Sequence, residues 1–267
     1  MRSISLIVTL LCILSGCRPK EPSLFYNRIK TIKTDGKVRV EFIYDVNNQL
    51  SEWKTFLAAD EMTVLGNLRV FRSNNGEVER TELWTSWNSS SSDLPKSGTP
   101  LKEDQTLYYY YNTQGRVSKV VRTSPSTPNS TYQQFSYNAD GLEEKQEYFG
   151  VDGKLLYYYT SEYNSVLHQR KSKGFDADGK LQGMWLTEYD NKENPFFKLN
   201  IPYAVMPISG DWRFPNNVVA TFDVDENGIK AIVARESFKY EYNSMGLPIK
   251  RTDYWSNTSR IYDFEYE

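Results

Sequence analysis

The sequence predicts an all-β protein. We expect an antiparallel meander of roughly a dozen hairpin-linked strands, rolled into a curved sheet or incomplete barrel that is soluble. Three observations support this prediction. Short segments alternate apolar and polar residues, one turn phrase returns along most of the chain, and aromatic residues make up 15 % of the sequence. Aromatic side chains are enriched in strands.

The alternating segments have the two-residue period of a strand with one buried face. In KVRVEFIY, residues 37–44, Val40 and Phe42 fall on one face while Arg39 and Glu41 fall on the other. The segments ESFKYEY and IYDFEYE near the C-terminus follow the same pattern. These runs are shorter than the roughly 9 to 11 residues of a membrane strand, so the sequence favours a soluble sheet over a membrane barrel.

The repeated phrase reads as an aromatic residue, Asn or Asp, two free residues, then Gly. In YNTQG, Asn112 suits the first position of a type I turn, and Gly115 suits the left-handed position that follows it. Each phrase is therefore predicted to be a hairpin tip between antiparallel strands. The residues assigned to these structural turns are Asn112, Gly115, Asn138, Gly141, Asp176, Gly179, Asp223, Gly228, Asn243 and Gly246.

The N-terminal segment has the pattern of a bacterial lipoprotein signal. Arg2 precedes a short apolar run that ends in Leu-Ser-Gly-Cys at Cys17. We expect residues 1–16 to be a signal peptide, Cys17 to carry the lipid, and residues 17–35 to form a polar tether. Residues 36–267 would then be a single β-repeat domain. The first cysteine, Cys12, leaves with the signal, so no disulfide is expected.

These motifs carry two resemblances. The turns are similar to the tyrosine–aspartate repeats of bacterial shell and wall-associated proteins. The lipid signal, YDNKENPF from Tyr189, FPNNVV from Phe214 and the closing YEYNSMGLPIKR and YDFEYE look like a lipoprotein family of gut-type anaerobic Gram-negative bacteria. That family has a domain of unknown function with a porin-like β fold. The resemblance implies a large curved sheet and a cell-envelope location, and it transfers no catalytic residues.

Charge and hydropathy limit the partners. The formal net charge is −2 and the mean hydropathy is −0.63. Because no basic excess appears, nucleic acid is not expected as a partner. The membrane is expected as a partner through the lipid on Cys17. Arg18 follows that cysteine, and other lipoproteins with this pattern reside in the outer membrane. The sequence leaves open whether the protein faces the periplasm or the cell surface.

Two segments interrupt the strand pattern. Residues 191–217 form an irregular insertion, rich in Pro and aromatic residues, which is either a plug that seals the rolled sheet or the wall of a ligand groove. The stretch from Glu52 to Gly66 is the one segment with helical character.

The sequence gives little support for catalysis, metals or cofactors. Asp223 opens a D-x-D-x-N-G motif, but the twelfth position of a calcium loop is Ala234, so a hairpin turn is the better interpretation. His168 is the only histidine, which leaves no usual zinc site. We therefore expect no cofactor and no enzymatic activity. A hydrolase using two carboxylates, such as the pair Glu143 and Glu144, stays open as a lesser alternative.

Exposed aromatic rings give the remaining functional hypothesis. Trp185, Trp212, Trp255 and Tyr203 lie near turns or in the irregular insertion, where their rings can stack on a sugar. We expect a lipid-anchored envelope protein that acts as a binding module for a glycan or a peptide. The alternative is an interaction scaffold for another envelope protein. The Tyr-rich segments LYYYY and LLYYY place aromatic rings on both strand faces, one of which lines a lumen, is covered, or meets a partner.

Overall fold

The computed structural model describes residues 28–57, 63–86, 98–199, 201, 214–255 and 258–267, without the side chains of residues 127–129 and 198. Across these residues, no helix has both the length and the apolar character needed to cross a membrane. Cys17, Tyr203 and Trp212 lie outside the described residues.

Sixteen strands and one short 3-10 helix, Phe197–Leu199, make up the described regular structure. The strands are β1 Ile29–Thr34, β2 Lys37–Tyr44, β3 Leu50–Phe56, β4 Val64–Arg72, β5 Val78–Thr85, β6 Lys102–Tyr111, β7 Val117–Ser124, β8 Thr127–Tyr137, β9 Glu143–Phe149, β10 Leu155–Asn164, β11 Gln169–Asp176, β12 Leu181–Glu193, β13 Asn216–Val224, β14 Glu236–Tyr242, β15 Pro248–Trp255 and β16 Thr258–Tyr266.

The strands form a complete barrel. Each strand pairs antiparallel with the next in the chain, and β1 pairs with β16 to close the sheet. The predicted all-β meander agrees with this arrangement. The predicted strand number of roughly a dozen and the incomplete barrel are wrong, because the structure has 16 strands and no free edge.

The closing strand explains part of this error. β1 lies within residues 17–35, which the sequence analysis assigned to a polar tether. It pairs Ile32 with Phe264 of β16 on one side and with Val40 of β2 on the other. The stretch from Glu52 to Gly66 is also strand at both of its ends, as the end of β3 and the start of β4.

The inner face of the barrel, here called the lumen, contains the hydrophobic core. A convex outer face cannot be buried by the sheet itself, so the buried strand residues face inwards. One core cluster includes Ile32, Phe42, Trp53 and Phe264 on β1, β2, β3 and β16, and a second includes Phe135 on β8. Directly paired residues on neighbouring strands share a face. The strand register therefore assigns every other strand residue to the lumen or to the outside.

The outer face carries cross-strand and same-strand ion pairs. Glu52 and Lys54 flank the buried Trp53 and lie 3.7 Å apart. Lys145 contacts Glu147 at 2.6 Å on β9. The outer face thus carries ion pairs together with exposed aromatic and aliphatic side chains such as Tyr108, Tyr110 and Ile261.

The turn residues have the geometry of hairpin tips. The Asn112 side-chain oxygen accepts hydrogen bonds from the backbone N–H groups of Gln114 and Arg116, both at 3.0 Å. Gly115 has φ of 72°, a conformation strained for any side chain. Asp176 and Asn243 accept the same two bonds, and Asn138 accepts the second of them, from Leu142. The positive φ recurs at Gly141, Gly179, Gly228 and Gly246.

One turn residue was assigned two positions too early. Asp225 accepts the hydrogen bonds from Asn227 and Ile229 in the turn that contains Gly228. Asp223 belongs to β13 and faces Trp185 of β12 across the ladder. The Asx residue of this turn must precede the glycine by three positions. Asp225 has that spacing from Gly228, and Asp223 does not.

The aromatic residue of the phrase fastens the strands together at one end of the barrel. Tyr137 ends β8 and donates its hydroxyl to the carbonyl of Val117, the first residue of β7, at 2.6 Å. Three further tyrosines at the ends of even-numbered strands bond the first residue of the preceding strand in the same way: Tyr44 to Ile29, Tyr111 to Val78, and Tyr266 to Pro248. We call these four contacts the tyrosine latches.

Residues 194–199, here called the plug segment, enter the lumen at that same end. The chain leaves β12 there and packs Phe196 against Phe42 and Phe264, with ring centroids 6.2 and 6.1 Å apart. Leu199 joins the same core cluster. We call this end the plug end, and the opposite end, where odd-numbered strands turn, the distal end. The insertion begins later than expected, since residues 191–193 still belong to β12.

Candidate functional site

Four aromatic side chains form a continuous surface inside the barrel near its distal end. Tyr148 is the last residue but one of β9. Tyr157 and Tyr159 lie near the start of β10, and Trp185 lies near the start of β12. Here they are called the luminal aromatic wall.

The strand register places this wall inside the barrel. Tyr157 pairs with Tyr148, which pairs with Gln133 of β8. Gln133 in turn pairs with Val120, which is buried in the core. Tyr157 nevertheless keeps 38 % of its surface exposed. This part of the lumen is therefore open to water rather than filled.

Two glycines create the space for Trp185. Gly174 of β11 and Gly183 of β12 face each other directly across the ladder. A Cβ atom at Gly174 would lie 3.0 Å from the Trp185 indole and 2.9 Å from the Tyr159 ring, and one at Gly183 would lie 3.0 Å from the indole. The indole therefore rests directly on the backbone of both strands. Any larger residue at these positions would push it away.

The four rings contact one another in sequence. Tyr148 and Tyr157 stack with centroids 4.3 Å apart and an interplanar angle of 25°. Tyr159 meets Tyr157 edge to face at 5.8 Å, and it meets Trp185 at 6.0 Å with a tilt of 58°. Contacts of this kind hold ring orientation, because aromatic pairs prefer offset or edge-to-face geometry. The wall is thus an ordered surface.

Polar groups adjoin the wall on the same lumen face. The Gln146 amide donates to the Tyr148 hydroxyl at 2.6 Å and to the Gln133 side-chain oxygen at 3.2 Å. Ser161 and Ser172 share a hydrogen bond of 3.1 Å beside Trp185. Amide and hydroxyl groups next to ring faces can bind the hydroxyls of a ligand while its apolar face stacks.

Burial and a nearby charge act in opposite directions on Tyr157. Its partial burial raises the pKa of the phenol, the neighbouring Tyr159 adds to that rise, and the positive charge of Arg122 lowers the pKa. Arg122 pairs with the buried Leu107 in the ladder, so its side chain faces the lumen as well. The lumen near the wall thus includes a cation. The register also places Asp176 opposite Tyr157 and Asp223 opposite Trp185. Both carboxylates have partners of their own, since Asp176 accepts from Lys180 and Gln182, and Asp223 lies 3.9 Å from Arg235.

The stacking candidates from the sequence fall in different places. Trp185 is part of the wall. Trp255 ends β15, three strands from β12 in the sheet order, and its ring lies 5.9 Å from the Arg260 guanidinium. Tyr203 and Trp212 lie outside the described residues, so nothing joins them to this site.

Tyr148, Tyr157 and Tyr159 were not among the predicted site residues. The segment LLYYY did show aromatic rings on both faces of β10. What the sequence lacked was the register that brings Tyr148 beside Tyr157. A glycine in each of two adjacent predicted strands, Gly174 and Gly183, was the available signal that a large ring lies over the sheet.

Two buried polar groups elsewhere have structural contacts. Arg251 and Asp253 form a two-pronged ion pair at 2.5 and 2.7 Å, with the guanidinium between the rings of Phe238 and Tyr262. Removing one partner of such a pair leaves an uncompensated buried charge. The pair therefore stabilises the β14–β16 region of the lumen.

The second group joins three strands at the plug end, close to the point where the plug segment follows β12. Tyr242 donates its hydroxyl to the Asp190 carboxylate, which also accepts from the Asn217 amide at 3.2 Å. Burial and the Asp190 carboxylate both raise the pKa of Tyr242. These bonds link β12, β13 and β14 at the plug end.

Metal-binding residues do not cluster within the described ranges. No group of three or more His, Cys, Asp and Glu side chains there could hold a metal ion. His168 is exposed in the turn between β10 and β11, with φ of 50°. Glu143 and Glu144 start β9 at the plug end, so the length of that strand separates them from the luminal aromatic wall.

The fold defines a closed 16-stranded porin-like barrel. The chain is similar to the crystal structure of a porin-like protein from Bacteroides uniformis, with a TM-score of 0.53 and 12 % identity over 90 % of this chain and 95 % of that one. This likeness shows the fold alone, and it agrees with the porin-like part of the resemblance seen in the sequence.

Two further solved structures give weaker matches. A Tc holotoxin pore from Photorhabdus luminescens and TcdB2-TccC3 each have a TM-score of 0.21 and 12 % identity. The matched regions cover 15 % and 16 % of those chains, against 85 % and 90 % of this one. No protein-family model and no curated protein sequence matches the chain.

Proposed function

We propose that this chain is a lipid-anchored cell-envelope protein that binds a glycan at the luminal aromatic wall. The observation that carries the proposal is the ordered set of four rings, open to water at Tyr157 and bordered by Gln146 and Ser172. Sugars present apolar ring faces and a rim of hydroxyls, and this surface offers a counterpart for each. A peptide is the lesser alternative, because the closed sheet leaves no edge for strand addition.

Ion pairs in the middle of outward-facing strands favour anchoring by lipid rather than by the strands. Arg or Lys at the bilayer midplane costs a membrane barrel about 2–4 kcal/mol each. Lys54, Lys145 and their carboxylate partners lie in the middle of outward-facing strand surfaces. With the outer wall in water, the acyl chains on Cys17 would hold the protein to the membrane. Arg18 after that cysteine favours the outer membrane, in either orientation.

Hydrolysis is not part of this proposal. Glu143 and Glu144 lie at the other end of β9 from Tyr148. At about 3.4 Å per residue, this puts them roughly 14 to 17 Å from Tyr148 along the strand. The proposal therefore assigns no catalytic residue.

The test is binding by the full chain in detergent, read from intrinsic fluorescence and thermal unfolding. The panel contains plant and host polysaccharides, peptidoglycan fragments and unstructured peptides. A ligand at a hundredfold its Kd stabilises by about 2.7 kcal/mol, which at this size raises Tm by roughly 5–10 °C. A glycan shift that Trp185→Ala removes supports the proposal. Trp84→Ala is the matched control, because the Trp84 ring lies on the outer face next to Arg69.

If no ligand in the panel changes the fluorescence or raises Tm, glycan binding is rejected. The scaffold for another envelope protein would then become the leading function, and cross-linking in intact envelopes would test it. A shift with peptides alone would move the assignment to the peptide alternative.

A further inference from the structure

Arg122 is an unusual residue in the lumen of this barrel. Its ladder partners are Leu107 of β6, which is buried in the core, and Thr131 of β8. It therefore faces inwards, yet the side chain is exposed. A lumen-facing cation that stays in contact with water is available to a ligand.

No carboxylate of the described residues forms an ion pair with Arg122, and no side chain among them accepts its hydrogen bonds. The contrast with Arg251 is direct, because that lumen-facing arginine holds Asp253 through two nitrogens. Arg80 likewise lies 3.1 Å from Glu82. The five N–H donors of Arg122 match a carboxylate or phosphate better than any neutral group.

The position of Arg122 relative to the luminal aromatic wall sets the class of ligand. Burial raises the pKa of both Tyr109 and Tyr157, and the positive charge of Arg122 acts against that rise at each. Three strand spacings separate β7 from β10, so the two backbones are about 14 Å apart along the wall. The long arginine side chain covers part of that distance. A ring stacked on Tyr157 can therefore present an acidic group to the guanidinium.

We infer that the ligand of this wall is an anionic glycan, whose successive rings stack on Tyr157 and Trp185, and that the carboxylate of the ring on Tyr157 binds Arg122. The inference rests on the proposed glycan-binding function and narrows it to uronic-acid-type or similarly acidic residues. Charge-assisted, two-pronged hydrogen bonds from arginine are stronger and more selective than neutral ones.

The experiment compares two probes that differ only in charge. The full chain is titrated with an oligogalacturonate of defined length and with the fully methyl-esterified form of the same oligomer. We expect the acid to bind at least about tenfold more tightly, equivalent to about 1.4 kcal/mol. Added salt should weaken the binding of the acid and leave that of the ester unchanged.

Arg122→Gln should remove the preference for the acid without changing the affinity for the ester. Arg69→Gln is the matched control, because Arg69 is an exposed arginine next to the lumen-facing Leu68 and points outwards. It should leave both affinities unchanged. The melting temperature of Arg122→Gln should equal that of the parent chain, since no side chain that the structure describes pairs with Arg122.

The other outcomes distinguish a failure of the anionic-ligand inference from a failure of the proposed glycan binding. Equal binding of acid and ester, unchanged by Arg122→Gln, overturns the anionic class and leaves glycan binding standing. Failure of both probes and of the neutral glycan panel overturns glycan binding itself. Binding of an acidic peptide as tight as that of the uronate, lost in the Arg122→Gln variant, overturns the sugar class.

Discussion

Single side chains at the strand ends determine how the hairpins of this barrel are fastened. In each tyrosine latch, a tyrosine at the end of one strand donates its hydroxyl to the backbone carbonyl of the first residue of the preceding strand. Composition alone showed many tyrosines. It did not show that four of them donate to a backbone carbonyl at a strand start.

Tyr137→Phe tests one latch. The change removes the 2.6 Å bond to the Val117 carbonyl and leaves the ring in place. We expect the free energy of unfolding to fall by about 1–2 kcal/mol, because a partly buried acceptor loses its partner. Urea unfolding measures the change. Tyr110→Phe is the control, since Tyr110 is exposed and makes no latch. An equal loss in both variants would contradict the latch.

Gly174→Val tests the site at the same scale. The added side chain would collide with Trp185 and Tyr159, and overpacking of this kind costs about 1–3 kcal/mol. We expect a changed tryptophan emission spectrum together with lost glycan binding. Lys173→Val serves as the control, because the neighbouring Lys173 side chain points outwards. Unaltered emission and binding in Gly174→Val would show that the indole does not need the glycine pair.

At the scale of elements, the sequence predicted some features well and missed others. The turn phrase correctly indicated antiparallel hairpins, because an Asx residue and a glycine three positions on specify a local geometry that depends on no distant residue. β1 was missed because IKTIKT is short and carries two lysines. Its strand character comes from pairing with β16, more than 200 residues away in sequence. The same distance dependence hid the contact between Tyr148 and Tyr157.

The plug segment is an element whose role can be measured. Phe196 is 5 % exposed, whereas its neighbour Phe197 is 48 % exposed. We expect Phe196→Ala to lower the free energy of unfolding by about 3–5 kcal/mol, the usual cost of deleting a buried phenylalanine ring. Phe197→Ala should change it by less than about 0.5 kcal/mol. Denaturant titration of both variants decides the point. If Phe196→Ala is neutral, the segment does not help to form the core.

At the scale of the whole molecule, tyrosine burial links stability to alkaline pH. Burial raises the pKa of both Tyr111 and Tyr240 to about 12, from an ordinary value of 10.0. The unfolded chain therefore loses these phenolic protons before the folded chain does. The stabilisation from the neutral phenols is complete below pH 10 and is lost as the pH rises towards 12.

We therefore expect the free energy of unfolding to decline steadily between pH 10 and pH 12. Urea titrations at a series of pH values give the slope, and Tyr111→Phe should make that slope shallower. A profile that stays flat over this range would contradict the buried, neutral state of these phenols.

The closing pair of strands fixes the end of the barrel at which the N-terminal segment joins it. The chain enters β1 and leaves β16 at the plug end, where Arg28 and Glu267 exchange backbone hydrogen bonds of 3.3 and 2.9 Å. If Cys17 carries a lipid as proposed, the anchor therefore joins the barrel at the end opposite the luminal aromatic wall. The mouth beside the wall would then be the end of the barrel farther from the point of attachment, where a large glycan can approach.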